Sequence, residues 1–182
     1  MRIREEEIPL EDGRVLCLRS PLPEDAGAML DYLRTVFGET HYMNCYPEEF
    51  TLTREKEESF LQSNNEAENN TMLTVFDGPL AAANVGLYPV GDRIKTRHRA
   101  GIGIAVRKEY WGLGLGTLLM ERALALAAEL GYAQAELGVY ADNPKAIRLY
   151  EKFGFVRMGR IPGAFRLKDG TMIDEILMVK EL

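Results

Sequence analysis

The residues best suited to chemistry in this chain form a glycine-rich segment from Tyr110 to Thr117, with the sequence YWGLGLGT. The segment lies between a predicted strand and a predicted apolar helix. Main-chain N–H groups in the first turn of a helix lack intrahelical partners, the helix dipole adds partial positive charge, and glycines let an anion approach the backbone. The segment therefore predicts a phosphate site made by the main chain. A turn that only allows tight packing of strand and helix is the alternative.

Two familiar nucleotide motifs do not fit this segment. A dinucleotide-binding G-x-G-x-x-G needs glycine at its third place, which is Thr117 counted from Gly112 and Leu119 counted from Gly114. A nucleoside-triphosphate loop needs a lysine at the start of the helix, and none follows Gly116. The sequence therefore disfavours a dinucleotide or nucleoside-triphosphate ligand at this place.

A second segment with chemical potential begins at Asn143 and Pro144 and contains Tyr150. Asparagine followed by proline is typical of the start of a helix, where the side chain caps and the proline takes the first helical position. Tyr150 shares a helical face with Ile147 and Phe153. Its phenol could therefore be a proton donor or a packed core side chain, and the residues alone leave both roles open.

The elements that position these segments follow from periodicity and turn residues. The apolar residues from Leu115 to Leu130 recur at three- and four-residue steps and predict a helix that ends at Gly131. The order of strands and helices indicates a mixed α/β fold, a central, mostly antiparallel twisted sheet flanked by helices. The other predicted strands are Arg14–Leu18, Thr71–Phe76, Leu80–Leu87, Ala100–Val106, Ala135–Tyr140, one that begins at Phe155 and one that ends at Met178, and the other predicted helices run up to Phe37 before Gly38, from Thr53 to Ser63, and from Pro144 to Gly154.

Composition limits the class of protein. The chain of 182 residues is 46% apolar and suits one domain, residues 1–182. The net charge of −6 disfavours nucleic acid, and no uncharged apolar run is long enough for a membrane span. Two cysteines and two histidines make a structural metal site improbable, so no metal is expected. The start of the chain lacks a signal peptide's apolar core, so we expect a cytoplasmic protein.

Taken together, these motifs resemble the GNAT superfamily of acyl-CoA-dependent N-acetyltransferases. The resemblance is carried by the strand GIGIAV ending at Val106, by the glycine segment and by the segment from Asn143 to Phe155. It implies acetyl-CoA as co-substrate, and the family often forms homodimers. The implied cofactor contacts are the main chain of Ile104, Ala105 and Val106 along the pantetheine, residues Trp111, Gly112, Leu113, Gly114, Leu115, Gly116 and Thr117 around the pyrophosphate, and Asn143 and Tyr150 near the pantetheine arm and the sulfur.

The resemblance also implies roles in catalysis. Tyr150 matches the family's general acid, and a main-chain N–H near Val106 would meet the oxyanion. Two positions depart from the pattern: Trp111 stands where the family usually has Gln or Arg, and Gly101 stands where some members have a glutamate base. A base at that place is therefore excluded. Side chains left open as the base are Glu39, His41, Glu136 and Tyr140, and side chains that could meet the phosphates are Arg107, Lys108, Lys145 and Arg148.

The expected function is transfer of an acetyl group from acetyl-CoA to a primary amine of a small molecule, amino acid or peptide by direct attack. Residues 37–47 and the final hairpin should form the acceptor pocket, because loops on a fixed scaffold carry specificity. An acyl-CoA-binding sensor with weak catalysis is the alternative, and the absence of a glutamate at Gly101 gives it some support.

Overall fold

A computed structural model of the protein describes residues 2–182, and this part of the chain contains eight strands and four α-helices. Two of the helices lie between the second and third strands, and the other two flank the sixth. The strands are β1 (Glu6–Pro9), β2 (Val15–Arg19), β3 (Thr71–Asp77), β4 (Leu80–Pro89), β5 (Arg99–Val106), β6 (Gln134–Tyr140), β7 (Val156–Arg166) and β8 (Met172–Glu181), and the helices are α1 (Ala26–Glu39), α2 (Arg54–Glu66), α3 (Leu115–Glu129) and α4 (Pro144–Lys152).

The strands form one sheet in the order β1-β2-β3-β4-β5-β6-β8-β7. All neighbouring strands are antiparallel except β5 and β6, which run parallel. The predicted mixed, mostly antiparallel sheet is confirmed. The parallel pair arises because α3 carries the chain back across the sheet between β5 and β6, as a parallel connection requires.

Helices cover the two faces of the sheet unequally. The α3 side is packed by the predicted apolar stripe, in which Leu115, Leu119 and Ala123 are buried against the sheet. The opposite side is covered by α1 and α2 only over the early strands, where Met29 and Tyr32 pack near Phe76. On that side Gly103 of β5 and Gly138 of β6 are exposed. The part of this sheet face at β5 and β6 is therefore left uncovered by helices at these two residues.

The sequence predictions were wrong at two places near the start of the chain. Strand β1 was not predicted, because the acidic residues Glu6 and Glu7 are not typical of a strand. It is an edge strand paired with β2, and exposed charge is tolerated at a sheet edge. Gly38 does not end α1 but lies inside it, and the helix continues to Glu39. The φ angle of Gly38 is not positive, so nothing in its backbone stops a helix.

The ends of α3 and α4 match their predictions closely. Gly131 follows α3 with φ of 79°, the left-handed conformation that favours glycine. At the start of α4 the Asn143 side chain accepts a hydrogen bond of 3.1 Å from the Ala146 N–H, and Pro144 takes the first helical position. None of the helices in residues 2–182 has the length and apolar composition needed to cross a bilayer.

Candidate active site

The sheet divides between β5 and β6, and this fork is the centre of the site. The two parallel strands are paired only where residues 99–101 lie beside residues 134–136. Beyond that point β5 stays paired with β4 as far as Val106, while β6 stays paired with β8 as far as Tyr140. The strands therefore diverge toward their C-terminal ends and leave an open main-chain edge on β5.

Hydrogen bonding along β5 shows which residues face this fork. The Arg107 N–H donates to Ala82 O at 2.9 Å, and Arg99 O accepts from the Val90 N–H at 3.0 Å, so the odd-numbered residues of β5 bond toward β4. In an antiparallel pair the direction of the main-chain groups alternates. The N–H and C=O groups of Ile104 and Val106 therefore face the fork. The main chain of Ala105 faces β4, and its carbonyl also accepts from the Tyr32 hydroxyl at 2.8 Å.

The glycine segment stands at the open end of the fork and leads into α3. Gly112 and Gly114 have φ of 85° and 81°, which side-chain-bearing residues rarely adopt. Gly114 is the N-cap of α3 and provides no side-chain cap. The N–H groups of Leu115, Gly116 and Thr117 are consequently without intrahelical acceptors and face away from the helix. Leu113 lies between these two glycines and is half-buried against the core. The segment has the geometry of a main-chain anion site.

Trp111 holds this segment in place by a contact that sequence reasoning missed. Its indole Nε1 donates to Val106 O at 2.8 Å. The ammonium of Lys145, in the first turn of α4, lies 5.0 Å from the centre of the indole ring. Trp111 follows β5, and Lys145 lies on α4, which follows β6. The indole therefore contacts residues from both sides of the fork.

Tyr150 is buried within the core on the α3 side, with its ring centre 5.9 Å from that of Phe155. Burial raises the pKa of Tyr150 to about 12, so the phenol keeps its proton at neutral pH. No side chain or main-chain group of residues 2–182 makes a hydrogen bond with its hydroxyl. The phenol is therefore a protonated donor without an internal acceptor.

Asn143 contributes its side-chain oxygen to the cap of α4, and its amide nitrogen makes no hydrogen bond within the described chain. Tyr150 follows on the same helix two turns later. The helix cap thus fixes the place of both residues relative to the end of β6.

The four side chains that the sequence leaves as candidates for the general base have different hydrogen-bond partners. The carboxylate of Glu136 is held by Arg99 through contacts of 2.6 to 3.0 Å, and Glu39 accepts from the Lys108 N–H at 2.8 Å. Tyr140 donates to Met43 O at 3.3 Å, and burial together with nearby negative charge raises its pKa. His41 lies 2.7 Å from the Asp142 carboxylate.

Two other residues near the fork, Gly101 and Arg107, make close contacts within the protein. A Cβ added at Gly101 would lie 2.3 Å from the ring of Tyr88, so a glutamate at that place would collide with this ring. Arg107 is 5% exposed, and its guanidinium lies 2.5 Å from Asp31 of α1. The suggestion that Arg107 meets cofactor phosphates is therefore wrong, because its charge is buried beneath α1.

The predicted acceptor segments come together at the end of β6. The Tyr42 hydroxyl donates to Asp142 O at 3.1 Å, which ties residues 40–46 to this strand end. The Tyr46 hydroxyl accepts from the Lys168 N–H at 3.1 Å, which ties the same segment to the final hairpin. Tyr140 stacks on Phe165 with ring centres 3.7 Å apart. These contacts form an aromatic wall beside the open sheet face.

Comparison with known proteins gives a consistent result. The model of the acetyltransferase (GNAT) family matches residues 35–155, which is more than half of the chain. A solved structure of the acetyltransferase of GNAT family from Streptococcus pneumoniae is 32% identical, with a TM-score of 0.87 over 92% of this chain and 99% of that one. The structure of yncA from Salmonella typhimurium with its cofactor acetyl-CoA has a TM-score of 0.79 at 17% identity, over 92% of this chain and 94% of that one.

Two curated proteins match part of the chain. The provisionally named phosphinothricin acetyltransferase YwnH of Bacillus subtilis is 30% identical over 83 residues, which are 46% of this chain and 50% of that protein. The L-amino acid N-acetyltransferase AaaT of Escherichia coli is 29% identical over 92 residues, which are 50% of this chain and 56% of that protein. The chain thus spans about half the length of the curated relatives it matches.

Proposed function

This chain belongs to the GNAT family of acetyltransferases, and we propose that it transfers an acetyl group from acetyl-CoA to the primary amine of a small molecule, an amino acid or a peptide. The observation that carries the proposal is the fork between β5 and β6, whose open main-chain edge leads directly to the glycine segment at the start of α3. We infer that residues 1–182 act as one catalytic domain.

The open edge and the glycine segment suit the two polar parts of acetyl-CoA. Ile104 presents both main-chain groups to the fork, so it can pair with the pantetheine amides as an added strand would. The N–H groups at the start of α3 can hold the pyrophosphate. The backbone there is open on one side, since a Cβ built at Gly112 or Gly114 would have no atom of a more distant residue within 4 Å. Because Val106 O is bonded to Trp111, we expect only its N–H to serve the ligand.

The same groups support acyl transfer without a covalent enzyme intermediate. A neutral amine attacks the thioester carbonyl carbon, a C–N bond forms, and negative charge collects on the carbonyl oxygen. The Val106 N–H, which faces the fork, can stabilise this oxyanion. The C–S bond then breaks and the sulfur takes a proton from the Tyr150 phenol, which its raised pKa keeps protonated. The nitrogen loses one proton to a base, the Tyr150 phenolate regains one from solvent, and the products are an amide and coenzyme A.

The acceptor approaches from the open sheet face in this proposal. Helices α3 and α4 occupy the other face, where Leu119 and Ile147 are buried in the same cluster. The open face carries the aromatic wall of Tyr140 and Phe165. A groove of about 860 Å³ lies farther along the sheet, where β5 and β6 are paired, and is lined by residues of β4 to β8. Amino acids and phosphinothricin are reasonable first acceptors, because two relatives are named for acetylating such amines.

The proposal can be tested by measuring coenzyme A release with a thiol reagent while the purified protein and acetyl-CoA are incubated with the twenty L-amino acids, phosphinothricin and short peptides. We expect release that depends on at least one amine. Calorimetric titration should show binding of acetyl-CoA and not of ATP. Binding of acetyl-CoA without turnover on any amine would favour the acyl-CoA sensor, and equal binding of ATP would contradict the proposed site.

A further inference from the structure

The segment from Glu39 to Tyr42 spans the open end of the fork. At one end, Glu39 accepts a hydrogen bond from the Lys108 N–H, just after β5. At the other end, His41 and Tyr42 contact Asp142, two residues after the end of β6. The segment therefore connects the chain just after β5 to the chain just after β6, at the end of the fork where the two strands are no longer paired. His41 lies at the mouth of the fork although it is 101 residues from Asp142 in sequence.

The contact with Asp142 determines which nitrogen of His41 can act as a base. The Asp142 Oδ2 atom lies 2.7 Å from Nε2. An ionised carboxylate only accepts hydrogen bonds, so Nε2 must carry a proton in this contact. In the neutral imidazole Nδ1 then has a free lone pair. No group of residues 2–182 makes a hydrogen bond with Nδ1.

His41 also lies on the sheet face that is open to the acceptor. Along β6, Ala135, Leu137 and Val139 are buried on the α3 side, so Tyr140 lies on the other side, as Gly138 does. The His41 ring is 6.0 Å from the Tyr140 ring in an edge-to-face arrangement. The side chain of His41 remains 35% exposed, so a ligand on this face can reach it.

The other ionisable side chains at the fork are already bonded. Glu136 is held by Arg99, Glu39 by the Lys108 N–H, and the Tyr140 hydroxyl donates to Met43 O. The titratable groups that face His41 are Asp142 from the segment after β6, Tyr140 from β6, and Tyr42 from its own segment. Among these groups His41 is the one that combines an imidazole nitrogen without a hydrogen-bond partner in residues 2–182 with a carboxylate that orients the ring.

We propose that His41, oriented by Asp142, is the general base that removes a proton from the acceptor amine, an inference that rests on the proposed acetyltransferase function. Nδ1 takes the proton that the ammonium must lose for its nitrogen to attack the thioester, or the proton left on that nitrogen after attack. The imidazolium is stabilised by the Asp142 carboxylate, and Tyr150 supplies a separate proton to the departing sulfur. Asp142 acts through His41 and is a positioning residue.

The test compares His41→Gln, His41→Ala and Asp142→Asn with the wild-type enzyme, using the amine that the acceptor screen finds to be best. Removal of a general base lowers kcat by about 10²- to 10⁴-fold. We expect a loss in this range for both His41 variants, a smaller loss for Asp142→Asn, and unchanged calorimetric affinity for acetyl-CoA. His98→Gln is the matched control because His98, the other histidine, is exposed outside the fork, and its activity should equal that of the wild type.

Two further measurements separate a base from a packing residue. Added imidazole should restore part of the activity of His41→Ala and none to Tyr150→Phe. The decline of kcat/KM toward acidic pH should follow one ionisation in the wild type and should change its midpoint in His41→Gln. Wild-type rates in His41→Gln, or a loss confined to the KM of the amine without imidazole rescue, would overturn the inference. An inactive wild type would instead overturn the proposed function.

Discussion

The indole Nε1 of Trp111 donates a 2.8 Å hydrogen bond to the main-chain oxygen of Val106, five residues earlier in the chain. Val106 is the last residue of β5, and its carbonyl faces the fork. The contact thus closes the glycine segment back onto the strand from which it leaves. Trp111 therefore uses its side-chain donor for a bond within the protein.

Substitution of Trp111 by Phe should weaken acetyl-CoA binding. The variant keeps an aromatic ring for Lys145 but loses the donor to Val106, and a hydrogen bond of this kind contributes about 0.5–1.5 kcal/mol net. We expect the dissociation constant for acetyl-CoA to rise by roughly three- to tenfold in calorimetry, since the loop amides are less well organised before binding. Tyr46→Phe removes a comparable hydrogen bond to Lys168 at the acceptor segment and should leave this constant unchanged.

Tyr150→Phe should lower the rate of acetyl transfer and not the affinity for acetyl-CoA. The phenol is protonated and has no acceptor inside the described chain, so its removal takes away a donor without leaving a buried partner unpaired. We expect kcat to fall by about 10²- to 10⁴-fold in steady-state assays. An unchanged kcat would show that the sulfur receives its proton from another group.

The same residue predicts how stability changes at alkaline pH. Burial raises the pKa of Tyr150 from its ordinary value near 10 to about 12 in the folded protein, so the neutral phenol is favoured by folding. Its contribution to the free energy of unfolding is complete below pH 10 and is lost as the pH rises toward 12. Urea unfolding at several pH values should show a shallower alkaline decline in Tyr150→Phe than in the wild type. Parallel declines would contradict this assignment.

The ion pair between Arg19 and Asp25 predicts how stability changes at acidic pH. Burial alone would raise the pKa of Asp25, but bonds from the Arg19 guanidinium at 2.5 and 2.9 Å and from the Leu22 N–H at 2.7 Å outweigh it, so the pKa is lowered. A carboxyl with a lowered folded pKa stabilises the protein above its ordinary value near 3.8, and this contribution is lost as the pH falls further.

Asp25→Asn should therefore lower the free energy of unfolding at neutral pH by about 1–3 kcal/mol, the cost of breaking hydrogen bonds to a charged group. The difference from the wild type should shrink as the pH falls below about 3.8, because the carboxyl of the unfolded chain takes up a proton there while the folded one takes it up only at lower pH. Urea denaturation between pH 3 and pH 7 measures both effects. Asp12→Asn, which removes an exposed carboxylate bound to Arg14, is the control and should cause no measurable change. A difference that does not depend on pH would exclude the ionic explanation.

The parts of the site that sequence predicts are those that depend on local chemistry. The positive φ angles of Gly112 and Gly114 and the Asn143 cap of α4 follow from neighbouring residues, so their segments could be recognised directly. The direction of the Ala105 main chain depends on the register of β5 against β4, which no local pattern gives. The contact of His41 with Asp142 depends on how residues 39–42 cross the fork, and it joins positions 101 residues apart. Tertiary placement therefore decides which base is available.

A final prediction concerns the close approach of Tyr88 to Gly101. The two residues face each other across β4 and β5, and a Cβ at Gly101 would lie 2.3 Å from the Tyr88 ring. Gly101→Ala should displace this half-exposed ring and destabilise the protein by about 1 kcal/mol, a cost typical of modest overpacking. Gly103→Ala, on the same strand with nothing within 4 Å of the new Cβ, should be neutral or slightly stabilising.

The Tyr88→Ala background makes the Gly101 experiment specific. If the ring is the cause of the destabilisation, Gly101→Ala should cost much less in this background, and the difference in a double-mutant cycle measured by urea unfolding gives the coupling between the two residues. Equal costs in the two backgrounds would mean that the added methyl group disturbs the strand itself. A positive coupling would show that the Tyr88 ring occupies the space that a side chain at residue 101 would need.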